Sequence, residues 1–409
     1  MFNIMIFSFP YYGHTKCLLH IAEYLVKQSH NVFFDISDEY KVQDFVGLQF
    51  LDCRFTSFKQ ASKKVELEDL YAIYYFADGI LTCNNEYLDH IEDYRKLQLD
   101  LIIYDSFAFW GKQIALQLDI PYISSVTTQP LLKESFLKDS NTIFEGYTSD
   151  KSEIQQLNLN TLRMCEKAIR KKYSLDSSFT LVDLLCSKGM RNIVYINREF
   201  CSYEENLDES YHFIGPLIKK VGGALEKKQV NQKIIYISFG TIMVKKELLS
   251  ICIDALKDRD FQIYVSAGSA AELLSEKYKQ FGHIHVAETV CQLDILEKAD
   301  LFITHAGQNS IMESLYFSVP MLMIPLANDA FINARWVEKE KLGFFLKERE
   351  ASIKTVGEAV TSLYSNEVIL NRVQAVSMKM KAAMPYNTIH KLVEELLHKK
   401  KSESTKESV

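Results

Sequence analysis

The stretch ADLFITHAGQNSIMESLYFSVPMLMIPLANDAFINA, residues 299 to 334, contains an apolar segment, a glycine turn and a helix start in immediate succession. Leu301 to Thr304 is a short apolar run that predicts a buried parallel strand. The turn through Gly307 leads into a helix that begins at about Asn309. A helix that opens at the carboxyl end of a parallel strand directs backbone N–H groups and a partial positive charge into the crevice there. The stretch therefore predicts an anion-binding site in an α/β domain.

Polar side chains follow this turn at helical spacing. Asn309 and Ser310 add side-chain donors at the start of the helix. Glu313 lies three residues past Ser310 and so on a nearby face, where a carboxylate can accept hydrogen bonds from two adjacent ribose hydroxyls. A second strand, Met321 to Ile324, is followed by a loop that brings Asp329 to the mouth of the same crevice. Together these groups predict a site for a nucleoside diphosphate.

The stretch resembles the signature of the UDP-glycosyltransferase superfamily, H-x-G-x-x-S-x-x-E-x(4)-G-x-P-x(4)-P-x(3)-D-Q-x-x-N-A. This superfamily has the GT-B fold and includes bacterial macrolide and plant secondary-metabolite enzymes. The matching positions are His305, Gly307, Ser310, Glu313, Pro320, Pro325, Asp329, Asn333 and Ala334. Ser318 stands where the family has Gly, and Ala330 where it usually has Gln. The resemblance implies that the matching polar residues bind the donor, and that Ala330 lies where relatives contact the sugar. If the resemblance is set aside, the same residues also fit an ordinary doubly wound domain with a capped helix.

Composition bounds the class of protein. A length of 409 residues, 47% hydrophobic and 24% charged, fits a soluble globular enzyme of two large α/β domains. A net charge of -6 argues against nucleic acid as the main partner. The apolar start is too short for a signal segment, and no run reaches the roughly 18 apolar residues of a membrane span, so we expect a cytoplasmic protein. Scattered cysteines without a C-x-x-C pair predict free thiols.

A histidine and an aspartate follow two strands predicted in the first half. Gly13 and His14 lie between the strand Asn3 to Phe9 and the next helix, where a parallel sheet presents chemistry, and Asp105 closes another apolar strand. Taken alone, each residue is often a helix cap. The resemblance implies more, because the family has G-H-x-x-P, with the histidine as the base for the acceptor hydroxyl and an aspartate that orients it. Cys17 stands where the family has proline.

Two segments of the second half extend the resemblance. Residues 238 to 241, SFGT, match the family's S-F-G-[ST] turn, which implies that Gly240 and Thr241 approach the donor diphosphate. Gln292 matches the last residue of the family's W-x-P-Q segment. Thr289 stands where the family has the tryptophan that stacks on the nucleobase. The choice between UDP and dTDP donors is therefore open.

Asp258 and Asp260 form a D-x-D sequence that superficially resembles the metal motif of the other glycosyltransferase fold. They precede a predicted strand and so lie at the amino edge of the sheet, whereas ligands bind at the carboxyl edge. We interpret them as a solvated turn. The resemblance likewise implies that catalysis uses no metal or other cofactor.

Two helical insertions interrupt the first half. The first, Val65 to Tyr94, has an aromatic cluster between residues 71 and 76, and in the family such regions line the acceptor pocket. Packing against the sheet is the alternative reading of these aromatic residues. The second insertion, Lys133 to Tyr173, has basic residues at helical spacing between 163 and 171. They fit a solvated face or contact with anionic lipid.

The overall prediction is an α/β protein of the GT-B fold, with two facing Rossmann-like doubly wound parallel-sheet domains. Residues 1–216 form the acceptor-binding domain, 217–231 a polar linker, 232–399 the nucleotide-sugar-binding domain and 400–409 a disordered tail. In this fold the last helix usually crosses back to the first domain.

The resemblance implies inverting glycosyl transfer from a nucleotide sugar, most simply a UDP-sugar, to a hydroxyl of a small lipophilic acceptor. His14 and Asp105 would act as the base, and the helix after Gly307 would stabilise the leaving charge. Three alternatives stay open: a membrane-associated lipid glycosyltransferase, a sugar-nucleotide epimerase of related fold, and a non-catalytic accessory protein. Decayed relatives tend to lose the base, and both members of the pair are present here. The acceptor and the oligomeric state are not encoded in any motif.

Overall fold

Two parallel β-sheets flanked by helices organise the chain in this computed structural model. The structure describes residues 1–41, 47–54, 72–130, 132, 154–201, 207–219, 233–240, 245–326 and 329–406. Within these residues, the chain up to Leu217 and the segment from Met384 onward form a first unit. The segment from Ile218 to Ala383 forms a second unit.

The described part of the first unit contains a sheet of seven strands in the order β3-β2-β1-β4-β5-β6-β7, with every neighbouring pair parallel. The strands are β1 Asn3–Phe7, β2 Asn31–Ile36, β3 Leu48–Asp52, β4 Leu101–Asp105, β5 Tyr122–Val126, β6 Arg191–Val194 and β7 Tyr211–Phe213. The helices up to residue 201 are α1 Tyr12–Lys27, α2 Ala72–Leu88, α3 Ile91–Lys96, α4 Phe109–Leu118, α5 Ile154–Lys172 and α6 Val182–Leu185.

The second unit, over its described residues, has a six-stranded parallel sheet in the order β10-β9-β8-β11-β12-β13. The strands are β8 Lys233–Ser238, β9 Phe261–Ser266, β10 Ile284–Ala287, β11 Leu301–Thr304, β12 Met321–Met323 and β13 Gly343–Phe345. The helices from residue 245 on are α7 Lys246–Asp254, α8 Ala271–Tyr278, α9 Gln292–Leu296, α10 Gln308–Tyr316, α11 Ala330–Lys339, α12 Ile353–Tyr364, α13 Glu367–Ala382 and α14 Pro385–Lys406.

Each sheet reverses its strand order once, between β1 and β4 in the first unit and between β8 and β11 in the second. Strands β4 and β11 are buried along their whole length, which is why both read as continuous apolar runs. In a doubly wound sheet the crevice for ligands lies at this reversal, outside the carboxyl ends of the strands. The α/β class with two doubly wound parallel sheets, predicted from the sequence, is confirmed. The site residues are therefore expected in the segments that follow β1 and β4 in the first unit and β8 and β11 in the second.

Helix α14 belongs to the first unit, although the sequence prediction placed residues 384–399 in the second domain. Its apolar residues recur at the spacing of one helical stripe and are buried in the core of the first unit with α1, β1 and β4. They are Ile389, Leu392, Val393, Leu396 and Leu397. The spacing of that stripe suits either core, and only the resemblance, in which the last helix usually crosses back to the first domain, indicates which one it joins. The domain assignment of this segment is therefore wrong.

The predicted tail at 400–409 also differs from the structure, because α14 continues to Lys406. Between Tyr386 and Lys406 there is no proline or glycine to end the helix. The charged composition of residues 400–409 predicted disorder. However, the buried apolar stripe of α14 nucleates the helix, and the helix propagates beyond the last apolar residue of the stripe. Other predicted segments lie outside the described residues: 65–71, 133–153, and the linker beyond residue 219.

The basic residues of α5 lie mostly on its outer face. Arg163, Lys167 and Lys171 are exposed, while Ile169 is buried on the opposite side. Arg170 instead donates to the carbonyl of Phe179 at 2.9 Å. Among the described residues, no helix has the length and apolarity needed to cross a bilayer.

Ser318 has a left-handed backbone conformation, with φ of 63°. It follows Phe317, the C-cap residue of α10. This conformation is disfavoured for residues with a Cβ atom, and glycine is the usual residue at such a helix end. We expect Ser318→Gly to raise the free energy of unfolding by about 0.5–1 kcal/mol, since relief of strain exceeds the entropy that glycine adds to the unfolded chain. Urea-induced unfolding of wild type and variant in parallel measures the difference.

Ser365→Gly is the matched control for this prediction. Ser365 also ends a helix, α12, but its φ is -97°, where a side chain causes no strain. The control should be neutral or destabilising. An equal stabilisation in both variants would show that strain at Ser318 is not the cause.

Candidate active site

His14 and Asp105 meet at the strand-order reversal of the first sheet. Phe7 of β1 pairs with Tyr104 of β4, so the segments that leave these two strands start side by side. The Nδ1 atom of His14 lies 3.0 Å from Oδ1 and 2.9 Å from Oδ2 of Asp105. The Asp105 side chain is completely buried, whereas 14% of the His14 side chain is exposed. A buried carboxylate therefore holds one ring nitrogen of a histidine that solvent still reaches.

Local hydrogen bonds fix the start of α1 and with it the place of His14. His14 is in the first turn of the helix, and the hydroxyl of the next residue, Thr15, donates to the carbonyl of Phe9 at 3.1 Å. The same hydroxyl is 2.7 Å from the Oγ atom of Ser8. Asp105 in turn accepts from the backbone N–H of Phe107 at 2.9 Å. Both side chains are thus held by the turns that follow their strands.

Thr127 is a third member of this group that sequence reasoning missed. It follows β5, the neighbour of β4 in the sheet. Its hydroxyl is 2.8 Å from Nδ1 of His14 and donates to Oδ2 of Asp105 at 3.3 Å. The available signal was weak, because Thr127 follows a buried strand that itself contains two serines, whereas Asp105 ends a strand that is otherwise apolar.

Aromatic rings surround His14. The ring centroid of Phe107 is 4.9 Å from that of His14, and that of Phe9 is 5.6 Å away. Phe76 of α2 packs on both phenylalanines, with centroids 5.8 Å from each. Phe76 belongs to the aromatic cluster predicted between residues 71 and 76, and Tyr71 lies outside the described residues. Apart from its contacts with Asp105 and Thr127, the histidine is therefore flanked by aromatic rings.

The corresponding reversal in the second unit brings His305 between two glycines. Gly240 follows β8 and His305 follows the adjacent strand β11. A Cβ atom on Gly240 would lie 2.8 Å from Cε1 of His305, and one on Gly307 would lie 2.7 Å from Nε2. Gly240 also has φ of 83°, which favours glycine. Both positions therefore require glycine for this ring to fit, and Thr241 lies outside the described residues.

The imidazole of His305 is neutral at physiological pH, because burial lowers its pKa to about 4. Its Nδ1 atom is buried and has no hydrogen-bond partner among the described residues. An unpaired buried polar atom costs about 1–3 kcal/mol of folding free energy. Such an atom is typical of a site at which a bound ligand supplies the missing hydrogen bond. His305 lies two residues before Gly307, the N-cap of α10, and the first turn of this helix contains no acidic residue and includes Asn309 and Ser310. The helix N-terminus and a neutral ring thus offer donors to an anion.

Glu313, on the same helix, is linked to Gln292 of α9. The Nε2 atom of Gln292 donates to Oε2 of Glu313 at 2.7 Å and to Oγ of Ser310 at 3.3 Å. Only 5% of Glu313 is exposed. Ser310 and Glu313 therefore share a face of the helix, as predicted, and the structure joins them through a residue 21 positions away from Glu313 in the sequence.

Asp329 and Asn333 support the turn that contains His305. Asn333 donates to the carbonyl of Ala306 at 3.2 Å and to Oδ2 of Asp329 at 3.3 Å. Ala306 has φ of 68°, so this contact stabilises an unfavourable backbone conformation. Ala330 begins α11 and is 4% exposed. The structure therefore assigns Asn333 a role in holding the turn.

Asp258 and Asp260 are exposed and immediately precede β9, at the amino edge of the second sheet. The site residues follow the carboxyl ends of the strands. Among the described residues, no group of three or more His, Cys, Asp or Glu side chains is arranged to hold a metal ion.

Known proteins match both halves of the chain. The family model described as glycosyltransferase family 28 C-terminal domain matches residues 234–406. A protein of Bacillus subtilis (strain 168) named uncharacterized UDP-glucosyltransferase YojK is 27% identical over 395 residues, covering 94% of this chain and 94% of the relative. NDP-glycosyltransferase YjiC of the same strain is also 27% identical over 395 residues, covering 93% and 94%.

A solved structure agrees in fold over nearly the whole chain. The glycotransferase of kitacinnamycin superposes with a TM-score of 0.78 at 20% identity, covering 97% of this chain and 99% of that one. The two parallel α/β sheets, the glycine-flanked His305 turn and these matches agree with one another. The chain is a glycosyltransferase of the GT-B fold, similar over nearly its whole length to proteins named as UDP- and NDP-glycosyltransferases.

Proposed function

We propose that this enzyme transfers a sugar, with inversion, from a UDP-sugar to a hydroxyl of a small lipophilic acceptor, and that His14 is the base. The observation that carries the proposal is the hydrogen bonding of His14 Nδ1 to the buried carboxylate of Asp105 at 2.9 Å and 3.0 Å. A carboxylate that accepts from Nδ1–H fixes the tautomer in which Nε2 is unprotonated. Nε2 is then the atom that can take a proton.

The reaction is a single displacement. As Nε2 of His14 accepts the proton of the acceptor hydroxyl, the oxygen forms a bond to the anomeric carbon. The bond from that carbon to the diphosphate oxygen breaks, and the nucleoside diphosphate leaves with the electron pair. Asp105 stabilises the imidazolium without taking the proton itself, and Thr127 helps to hold the pair in place.

Charge on the leaving diphosphate is stabilised by the turn between β11 and α10. The N-terminus of α10 carries a partial positive charge and backbone donors, and Ser310 adds a hydroxyl. His305 contributes a hydrogen bond from a neutral ring, because burial lowers its pKa to about 4. Fixed dipoles of this kind can take the place of a metal ion in stabilising the leaving group.

The acceptor class follows from the surroundings of His14. Phe107 packs next to the His14 ring, and Phe76 packs on Phe107. Both phenylalanines are partly exposed, and an apolar acceptor buries surface against such side chains. For the donor, Glu313 suits a ribose, and YojK is named as a UDP-glucosyltransferase. UDP-glucose is therefore the first donor to test.

Mass spectrometry of products from a mixed acceptor library, offered with several nucleotide sugars, tests this function. We expect glycosylated acceptors and release of the nucleoside diphosphate. Conversion of the sugar nucleotide without any acceptor would instead identify an epimerase, and transfer confined to lipid in liposomes would identify a lipid glycosyltransferase. Binding of nucleotide sugar without turnover would identify an accessory protein.

Metal removal provides a separate prediction. Because the proposed leaving-group site consists of helix N–H groups, Ser310 and His305, we expect the rate of transfer to be unchanged in EDTA. Rates before and after exhaustive chelation, with and without added Mg²⁺ or Mn²⁺, measure this. A rate of transfer that is lost in EDTA and restored by either ion would contradict a leaving-group site that consists of protein groups alone.

A further prediction concerns Ala330 and the choice of sugar donor. In glucose-transferring relatives an Asp-Gln pair contacts the distal hydroxyls of the sugar, and here the amide is replaced by a methyl group. We therefore expect a relaxed preference in wild type, with UDP-N-acetylglucosamine or a dTDP-deoxysugar used beside UDP-glucose. Ala330→Gln should shift the ratio of kcat/KM values toward UDP-glucose. If wild type already prefers UDP-glucose by more than about 10³, or glutamine leaves the ratio unchanged, Ala330 does not face the sugar.

A further inference from the structure

Tyr236 is a buried residue of β8 that the proposed chemistry does not use. It is 1% exposed, and its ring stacks on Phe302 of β11 with centroids 4.7 Å apart and planes at 13°. Its hydroxyl donates to Oε1 of Gln292 at 3.3 Å. Burial raises the pKa of Tyr236 above its ordinary value, and the hydroxyl is protonated at physiological pH. One polar atom of a strand residue thus contacts the amide that holds Glu313.

This contact holds the oxygen end of the Gln292 amide. An amide has an acceptor oxygen at one end and a nitrogen with two donors at the other. With Oε1 held by the tyrosine hydroxyl, Nε2 faces Glu313 at 2.7 Å and Ser310 at 3.3 Å. A reversed amide would put its oxygen against the carboxylate, where two acceptors repel. The carboxylate therefore selects this orientation of the amide, and the tyrosine hydroxyl anchors its oxygen end.

We propose that Tyr236 is a positioning residue for recognition of the donor ribose, and that it acts through Gln292 on Glu313. The inference rests on the proposed function, in which Glu313 accepts from the ribose hydroxyls. A carboxylate has about four acceptor sites, so it can keep the Gln292 bond and accept from a ligand. Its orientation decides whether two adjacent hydroxyls are reached together. Tyr236 thereby contributes to discrimination between ribose and deoxyribose.

Calorimetric titration with UDP and with 2′-deoxy-UDP tests the inference without need of an acceptor. We expect wild type to bind UDP about tenfold or more tightly than the deoxy analogue, since one hydrogen bond to a charged group is lost. Tyr236→Phe keeps the ring on Phe302 and removes the hydroxyl. It should weaken UDP binding by about three- to tenfold and 2′-deoxy-UDP binding less, so that the ratio falls. In turnover, KM for the donor should rise while kcat stays within about twofold.

Two comparisons separate positioning from general damage. Tyr278→Phe is a matched control, because Tyr278 is also buried in the second unit and its hydroxyl donates to the carbonyl of Ser250 at 3.3 Å. It should leave both affinities unchanged. In a Gln292→Ala background, Tyr236→Phe should have no further effect, because the residue through which it acts is gone.

Each of the following outcomes overturns the inference, and only the last also overturns the proposed function. A Tyr236→Phe variant that binds both nucleotides like wild type overturns the inference and leaves the proposed function standing. Equal weakening of both nucleotides, or an undiminished effect in the Gln292→Ala background, also overturns it. A wild type that binds neither nucleotide overturns the proposed function and the inference with it.

Discussion

Replacing His14 with alanine is expected to lower kcat by roughly 10² to 10⁴ while leaving the affinity for UDP nearly unchanged. The physical reason is that a base contributes in the transition state, when the acceptor proton moves to Nε2. The residues proposed to bind the donor belong to the second unit, whereas His14 belongs to the first. Steady-state rates with saturating donor, together with calorimetric titration of UDP, measure the two quantities separately.

His90→Ala is the matched control for this variant. His90 is an exposed histidine of the first unit, and its Nδ1 atom contacts the backbone carbonyl of Glu86 at 2.9 Å. The control should have the wild-type rate. Near-normal turnover of His14→Ala would remove His14 from the mechanism, and equal loss in both variants would point to damage to the fold of the first unit.

Gly240→Ala is expected to lower kcat/KM for the donor by about 10² or more, because a misplacement of a positioned group by about 1 Å can cost that much. The added Cβ atom would lie 2.8 Å from Cε1 and 3.1 Å from Nε2 of His305, so the ring must move. The backbone, with φ of 83°, adds strain of about 1–2 kcal/mol for a residue with a side chain. The measurement is donor saturation kinetics together with titration of UDP.

Gly282→Ala tests whether any glycine of the second unit would give the same result. A Cβ atom at Gly282 meets no heavy atom within 4 Å, and its backbone does not lie in the left-handed region. The control should therefore retain wild-type kinetics. Wild-type donor kinetics in Gly240→Ala would show that the position of the His305 ring does not matter for the donor.

The strands that carry the site were predictable because each is buried on both faces. The strand Leu301 to Thr304 was predicted with the bounds that the structure has, and the strand that Asp105 closes ends at Asp105 as predicted. A fully buried parallel strand is an uninterrupted apolar run, and the polar residue that ends it is visible in the sequence. The positions of Asp105 and His305 at strand ends follow from this pattern alone.

Contacts between those strand ends were not predictable from local pattern. Thr127 meets His14 because β5 lies beside β4, and the order of strands in a sheet is a property of the whole fold. The bond from Gln292 to Glu313 likewise joins two helices that are adjacent only after folding. The resemblance implied that His14 and Asp105 are paired, but it did not include these neighbours.

The end of the chain illustrates a different limit. The stripe from Ile389 to Leu397 has the period of a helix that packs on a core. Its spacing contains no information about which core it joins, because both units offer apolar surfaces. The resemblance implied that the last helix crosses back to the first domain, whereas the predicted domain bounds assigned the segment to the second.

The anomeric configuration of the product tests the central claim most directly. Base-assisted attack by the acceptor oxygen on the anomeric carbon, opposite the departing diphosphate, inverts that centre. With UDP-glucose, whose anomeric centre is α, the purified product should be a β-glucoside by NMR, and its formation should fall with His14→Ala. An α-glucoside made at the wild-type rate would contradict the single displacement and the role of His14 as its base.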